Sequence, residues 1–160
     1  MSRKGQTKPR IHRPDALYQS VILTKIINYT MKNGNKLAAQ KQVYAAMDIL
    51  KKESKSDDVV VTLEQAFENI KPKVEVRPKR IGGAVYQVPA PVRGHRQDSL
   101  AIRWLITSSR KLPSKQHHTF ASKLATELLS ALKSEGASVG KRLEVEKMAD
   151  ANKAFAHLRW

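Results

Sequence analysis

The chain has 160 residues, of which 41% are hydrophobic, so it has enough apolar side chains for one domain with a core of its own. Thirty Lys and Arg against 14 Asp and Glu give a net charge of +16, and the lack of cysteine excludes disulfides and thiolate metal sites. No apolar run approaches the roughly 20 residues that span a bilayer, so we expect no membrane partner.

The positive charge is concentrated in two segments. Residues 1–13 carry five basic side chains and no acid, and residues 71–115 carry eleven basic side chains against Glu75 and Asp98. Concentrated positive charge repels itself, and a polyanion that releases its counterions relieves that repulsion. We therefore predict a nucleic-acid partner, and we expect residues 1–14 to be a disordered basic arm that orders on its ligand.

The first predicted helix covers residues 15–32. Asp15 is a favourable N-cap after Pro14, and Asn33-Gly34 favours a left-handed C-terminal cap. The apolar face of this helix comprises Leu17, Val21, Leu23, Ile26, Ile27 and Met31.

Two further helices are predicted before the basic block. The second runs from Lys36 to Ser54, and a polar loop follows at residues 52–58. Its inward side chains are Leu37, Val43, Met47 and Leu50. The third is predicted to start where Thr62 and Gln65 have the spacing of a capping box. Its apolar stripe comprises Leu63, Ala66, Phe67 and Ile70, and Pro72 ends it.

Residues 73–92 are predicted to form an extended two-stranded β-hairpin. Gly82-Gly83 is a favoured two-residue turn, because glycine accepts positive φ. With that turn, Arg77, Lys79 and Tyr86 share one face, which offers cations to phosphates and a ring to a base. Prolines in both strands remove backbone donors, which predicts a free-standing ribbon.

Three helices are predicted after the hairpin, over residues 99–110, from residue 120 to near Gly136, and over residues 140–158. The inner side chains of the first are Leu100, Ala101, Trp104, Leu105 and Ser108. Those of the second are Phe120, Ala121, Leu124, Ala125, Leu128, Leu129 and Leu132. Those of the third are Leu143, Met148, Ala151 or Ala154, and Phe155. The predicted fold is mainly α, a six-helix bundle with an extended two-stranded β-hairpin between helices three and four, and residues 15–160 form a single helical domain.

The sequence has no motif for catalysis or for cofactor binding. His117-His118 is a weak metal signal, because the chain has no cysteine and no acid lies nearby. Gly82-Gly83 lacks the spacing of a phosphate-binding loop, and no nucleophile elbow is present. We therefore expect a protein that is not an enzyme and needs no cofactor or metal.

Two other functions fit the composition. A DNA-architectural protein would use the hairpin as a minor-groove arm, although the Gly-Gly tip supplies only half of an apolar wedge. A catalytic RNA-modifying domain would need a cofactor motif that the chain lacks.

Four strings carry a family resemblance. NGNK (33–36), VEVRPKRIGGAVYQVP (74–89), LAIRWL (100–105) and KMADANKAFAHLRW (147–160) follow one another with matching spacing over nearly the whole chain. Together they resemble the bacterial and organellar family of small-subunit ribosomal protein seven. The resemblance implies a structural protein that binds the 3′ major domain of small-subunit rRNA, nucleates assembly of the head, and lies at the tRNA exit site and mRNA exit channel.

The resemblance also implies partners, a location and contact residues. The expected partners are rRNA, exit-site tRNA and mRNA, and neighbouring head and platform proteins, on the small subunit of a ribosome in an organelle (mitochondrion or chloroplast) or in the bacterial cytoplasm. The predicted rRNA-binding residues are Arg3, Lys4, Arg10, Arg13, Lys32, Lys36, Arg77, Lys79, Arg80, Arg93, Arg96, Arg103, Arg110, Lys111, Lys141 and Arg142. The residues expected near exit-site tRNA or mRNA are Ile81, Gly82, Gly83, Ala84, Tyr86, Lys153, His157 and Arg159.

Overall fold

The structure is a computed structural model that describes residue 5, residues 12–54 and residues 58–158. Over these residues the elements run in the order α1 (Val21–Thr30), α2 (Lys36–Ser54), α3 (Val59–Ile70), β1 (Val74–Ile81), β2 (Ala84–Pro91), α4 (Gly94–Lys111), α5 (Phe120–Leu132) and α6 (Ala137–Ala151), followed by a 3₁₀ helix (Lys153–Leu158). The predicted fold class, mainly α with a hairpin between the third and fourth helices, is confirmed.

Helix α5 lies at the centre of the bundle and packs against α2, α3 and α4. The core is apolar and close to fully buried, because each of these helices directs a stripe of residues inward. Its largest buried side chains are Leu23, Ile26, Ile27, Met47, Leu50, Leu63, Phe67, Ile70, Ile102, Leu105, Leu124 and Leu128. No helix among the described residues is long and apolar enough to cross a membrane.

The start predicted for the first helix at Asp15 is wrong, since α1 begins at Val21 and is capped by the Ser20 hydroxyl. The Asp15 carboxylate instead accepts hydrogen bonds from the backbone N–H groups of Leu17 and Tyr18, which closes a turn before the helix. Gln19 then has a φ of 51°, which no helix can contain. Leu17 therefore lies outside the helix with 65% of its surface exposed. Asn33 and Gly34 do adopt positive φ, in the turn that follows α1.

The limits of α2 agree with the prediction, but Leu37 is 76% exposed and does not face the core. The capping box proposed at Thr62 is wrong. Helix α3 begins at Val59, where the carboxylate of Asp58 accepts from the N–H of Val60. Thr62 lies inside the helix, and its hydroxyl donates to the Asp58 carbonyl. The predicted buried stripe of α3 is confirmed.

Helix α4 begins at Gly94, five residues earlier than predicted, so the basic connector forms its first turns. Its buried stripe is also shifted, because Leu100, Trp104 and Ser108 are only half-buried. The fully buried residues are Ala101, Ile102, Leu105, Ile106 and Ser109. Burial of the Ser109 hydroxyl leaves no hydrogen-bond donor unpaired, since it donates to the Leu105 carbonyl within the helix.

The hairpin has the predicted register, with Ile81 opposite Ala84, Lys79 opposite Tyr86, and both turn glycines at positive φ. It is not a free-standing ribbon. Both strands contact α6, and β2 packs along the 3₁₀ helix. The Tyr86 and Phe155 rings lie 5.3 Å apart, and the Lys79 ammonium donates to the Leu158 carbonyl at 3.1 Å. The 3₁₀ helix therefore covers one face of the hairpin.

Helix α6 runs from Ala137 to Ala151, which differs from the predicted residues 140–158. It contacts the bundle through Ser138, Val139 and Ala149. Of the predicted inner residues, Phe155 is half-buried, whereas Ala151 and Ala154 are exposed, as are Leu143 at 51% and Met148 at 42%. The other residues of the helix are exposed or half-buried, so most of its surface faces outward.

A buried carboxylate joins α5 to α6. Glu127 is 3% exposed, and its Oε1 accepts from both the N–H and the hydroxyl of Ser138 at 2.7 Å. The acid thereby caps the start of α6 in place of its N-cap residue Gly136, which has no side chain. Gly136 has φ 95° and ψ 165°, a conformation that is nearly restricted to glycine.

We predict that Gly136→Ala lowers the free energy of unfolding by about 2 kcal/mol, since it strains this backbone conformation. A Cβ there would also lie 3.0 Å from the Ser130 Cβ and 3.1 Å from the Glu127 Oε1. Urea denaturation measures the change. Gly140→Ala, where a Cβ meets nothing within 4 Å, is the control and should stabilise the helix by about 0.5–1 kcal/mol. Equal effects at the two positions would contradict the prediction.

Candidate nucleic-acid interface

Four arginines line one surface depression of about 370 Å³. Arg77 comes from β1, Arg93 immediately precedes α4, and Arg96 and Arg103 lie on α4. Tyr29 of α1, which is 41% exposed, completes the wall together with His95 and Ser99. We name these seven residues the arginine depression. Its combination of clustered guanidinium groups and an exposed ring suits phosphates and a stacked base.

The arginine depression is built around one buried acid. Glu75 is 6% exposed and uses both carboxylate oxygens, with Oε1 2.5 Å from Arg77 Nε and Oε2 2.7 Å from Arg96 Nε. Burial alone would raise the pKa of Glu75, but the hydrogen bonds and charges of Arg96 and Arg77 outweigh it and lower this pKa. Glu75 is therefore ionised at neutral pH and fixes two of the four arginines.

A second acid holds α4 against the neighbouring helices. Asp98 accepts from Lys25 of α1 at 2.8 Å and lies 3.4 Å from the ammonium of Lys71, the residue that follows α3. Burial would raise the pKa of Asp98, but its bond to Lys25 and the charges of Lys25 and Lys71 outweigh burial and lower it. This contact fixes the helix that carries Arg96 and Arg103.

Four more of the predicted cations line two other depressions, with two cations in each. Lys32 and Arg110 line one of about 430 Å³, where Arg110 Nη2 donates to the Thr30 carbonyl at 3.0 Å and so satisfies the end of α1. Arg13 and Lys36 line another of about 560 Å³ beside the start of α2. The structure thus brings together residues that are 78 and 23 positions apart in the sequence.

The two parts of the chain expected near the exit site are adjacent. Ile81 and Tyr86 of the hairpin line a small depression of about 230 Å³ together with Phe155, His157 and Leu158 of the 3₁₀ helix. Tyr86 is half-buried against Phe155, so its ring does not lie on an open face of the hairpin as predicted. Gly82, Gly83 and Ala84 at the tip are exposed.

The remaining predicted cations are more scattered. Arg80 is exposed on the opposite face of β1 from Lys79, and Lys111 is exposed at the end of α4. Lys141 and Arg142 lie in the second turn of α6 rather than at its start, and Glu144 and Glu146 pair with them at 2.7 and 3.9 Å. Lys153 is exposed in the 3₁₀ helix. The predicted residues Arg3, Lys4, Arg10 and Arg159 lie outside the described residues.

The sequence did not single out Tyr29, His95 and Ser99, which line the arginine depression, or Glu75, which contacts two of its arginines. For Glu75 a signal existed, because an acid two residues before Arg77 on a strand shares its face. Tyr29 gave no comparable signal, since only the folded bundle brings α1 beside the start of α4. Among the described residues no group of three or more metal-ligating side chains is found, and His117 contacts the Ser122 hydroxyl at 3.2 Å.

Clustered arginines beside a two-stranded ribbon on a helical bundle are typical of a nucleic-acid-binding protein. The family model described as "Ribosomal protein S7p/S5e" matches residues 2–153. The chain is 48% identical over 158 residues to "Small ribosomal subunit protein uS7" of Fervidobacterium nodosum, with 99% of each chain covered. It is 46% and 44% identical to the proteins of that name from Sulfurihydrogenibium sp. and Stenotrophomonas maltophilia, over 100% of each chain.

The chain therefore belongs to the ribosomal protein S7p/S5e family. This is a family of structural ribosomal proteins and not of enzymes, and RNA binding and a role in translation are general to it. The family resemblance and the expectation of a non-enzyme are confirmed. The DNA-architectural and RNA-modifying alternatives lose their support.

We predict that acid destabilises the protein partly through Asp98. Its lowered pKa means that its stabilising effect is present above the ordinary aspartate pKa and is lost as the pH falls through the lowered value. Asp98→Asn should therefore reduce stability at pH 7 and flatten the loss of stability below about pH 4. Urea midpoints between pH 7 and pH 3 measure this, with Asp150→Asn on an exposed α6 position as the charge-matched control. Parallel curves for wild type and Asp98→Asn would contradict it.

Proposed function

We propose that this protein is a structural component of the small ribosomal subunit, binds the 3′ major domain of small-subunit rRNA and nucleates assembly of the head. The arginine depression is the observation that carries the proposal. It presents four guanidinium groups from a strand and a helix within one concavity, next to an exposed tyrosine. Folded RNA brings phosphates of distant nucleotides together, so fixed clusters of cations recognise its shape.

The other cation pairs support a broad RNA contact. Lys32 with Arg110 and Arg13 with Lys36 flank α1 and the start of α2. Arg80, Lys111, Lys141 and Arg142 would add phosphate contacts around this surface. The basic residues of the N-terminal arm, Arg3, Lys4 and Arg10, would extend it along the RNA.

The hairpin tip and the C-terminal segment form the second part of the proposal. We assign Ile81, Gly82, Gly83, Ala84 and Tyr86, with Lys153, His157 and Arg159, to the neighbourhood of the tRNA exit site and the mRNA exit channel. The shared depression between the hairpin and the 3₁₀ helix supports one common surface for these residues. In this arrangement the exposed tip, and not the covered Tyr86 ring, meets the nucleic acid.

The proposed setting is the ribosome, with neighbouring head and platform proteins as partners. The relatives named above come from bacteria, which favours the bacterial cytoplasm over an organelle.

We predict that the protein distinguishes its own RNA from other polyanions. Labelled 3′ major-domain RNA is bound across a salt series and challenged with duplex DNA and with unrelated structured RNA of equal length. Phosphate contacts alone would give equal competition at each salt concentration, whereas recognition of a folded shape resists both competitors at physiological salt. Equal competition by duplex DNA would overturn the proposed function and favour a DNA-architectural protein.

We also predict that Arg103→Ala weakens binding of this RNA about fivefold and lowers the slope of log K against log salt by about one. Arg103 is exposed and lies in the arginine depression, so its loss should leave the unfolding midpoint unchanged. Lys52→Ala removes the same charge from an exposed position of α2 outside the three cation depressions and is the matched control. Equal losses for the two variants would show that net charge, and not the depression, governs binding.

A further inference from the structure

Glu75 is an acid placed beneath a surface that has to bind an anion. Its side chain is 8% exposed, whereas those of Arg77 and Arg96 are 59% and 54% exposed. Each carboxylate oxygen faces one of the two guanidinium groups. The acid itself is therefore shielded from solvent, and the cations lie between it and the outside.

The two arginines come from different elements, β1 and α4, and would repel each other without the carboxylate. A guanidinium has five N–H donors in a fixed plane, and the bonds to Glu75 use its Nε side. The rest of each group lies at the exposed surface of the arginine depression. A side chain that is already fixed loses less conformational entropy when it meets a phosphate.

We propose that Glu75 is a positioning residue for RNA binding, which holds Arg77 and Arg96 in the orientation that receives adjacent phosphates. The inference rests on the proposed function, since it concerns how the same surface recognises RNA. Glu75 touches no RNA in this arrangement and acts only through the two arginines.

The inference predicts an effect opposite in sign to that of simple charge. Glu75→Gln raises the net charge by one, and a more basic surface should bind any polyanion more tightly. Loss of the positioning contacts should instead weaken binding of the 3′ major-domain RNA about tenfold, the effect of one charge-assisted hydrogen bond. Glu75→Asp keeps the charge but shortens the side chain, and it should weaken binding of this RNA without any change in net charge.

Binding is measured for wild type, Glu75→Gln and Glu75→Asp with the 3′ major-domain RNA and with unrelated structured RNA. Circular dichroism and thermal unfolding establish that each variant is folded at the assay temperature. Glu64→Gln, an exposed position on α3 with the same charge change, is the matched control and should bind both RNAs at least as tightly as wild type. Both Glu75 variants should lose affinity for the first RNA and keep it for the second.

A mutant cycle separates positioning from a general structural effect. In the Arg77→Ala, Arg96→Ala background, Glu75→Gln should change RNA affinity less than twofold, because the groups through which it acts are gone. Undiminished binding by Glu75→Gln and Glu75→Asp, or an equal loss in the wild-type and double-alanine backgrounds, would overturn the inference. Equal binding of the two RNAs by wild type would instead overturn the proposed function.

Discussion

Repulsion between like charges is the constraint that the fold has to overcome in the basic segment, residues 71–115. Eleven basic side chains lie in residues 71–115 with two acids, and each acid is placed between two cations. Glu75 lies between Arg77 and Arg96, and Asp98 lies between Lys25 and Lys71. These contacts also join β1 to α4, and α4 to α1 and the end of α3. Charge compensation and tertiary packing are therefore the same interactions, and the loss of either acid affects both.

The features that could be predicted from the sequence are those that local chemistry determines. The Gly-Gly turn fixes the hairpin register, because both positions need positive φ and the alternation of the strands follows from the turn. The buried stripe of α3 could likewise be predicted, since the spacing of its apolar residues matches one face of a helix. The charge clustered in residues 71–115 predicted a concentration of cations there, and all four arginines of the arginine depression come from that segment. The clustering gave no distances between these arginines.

The features that could not be predicted are of two kinds. Some depend on a choice between two residues that suit the same role equally well, and others depend on contacts between residues that are far apart in the sequence. Asp15 and Ser20 are both residue types that favour the N-cap of a helix. Asp15 closes a turn before the helix instead, and Ser20 is therefore the residue that caps α1. Helix α6 takes its cap from Glu127, ten residues before the helix begins, which no capping rule based on neighbouring residues would find. The cover over Tyr86 comes from Phe155, so the open face of the hairpin could not be chosen from its own sequence.

The cations of this surface differ in how firmly the protein holds them, and under the proposed function this difference would give them different tasks. Arg77 and Arg96 are bound to Glu75, and Arg110 to the Thr30 carbonyl, so their guanidinium groups occupy defined positions within the protein itself. Arg80 and Lys32 are exposed at the surface, and their long side chains lose conformational entropy when they meet a phosphate. Exposed cations supply attraction that salt screens and that any polyanion satisfies. Fixed cations favour only an RNA whose phosphates match their spacing, so selectivity should reside with the arginines that the fold already holds.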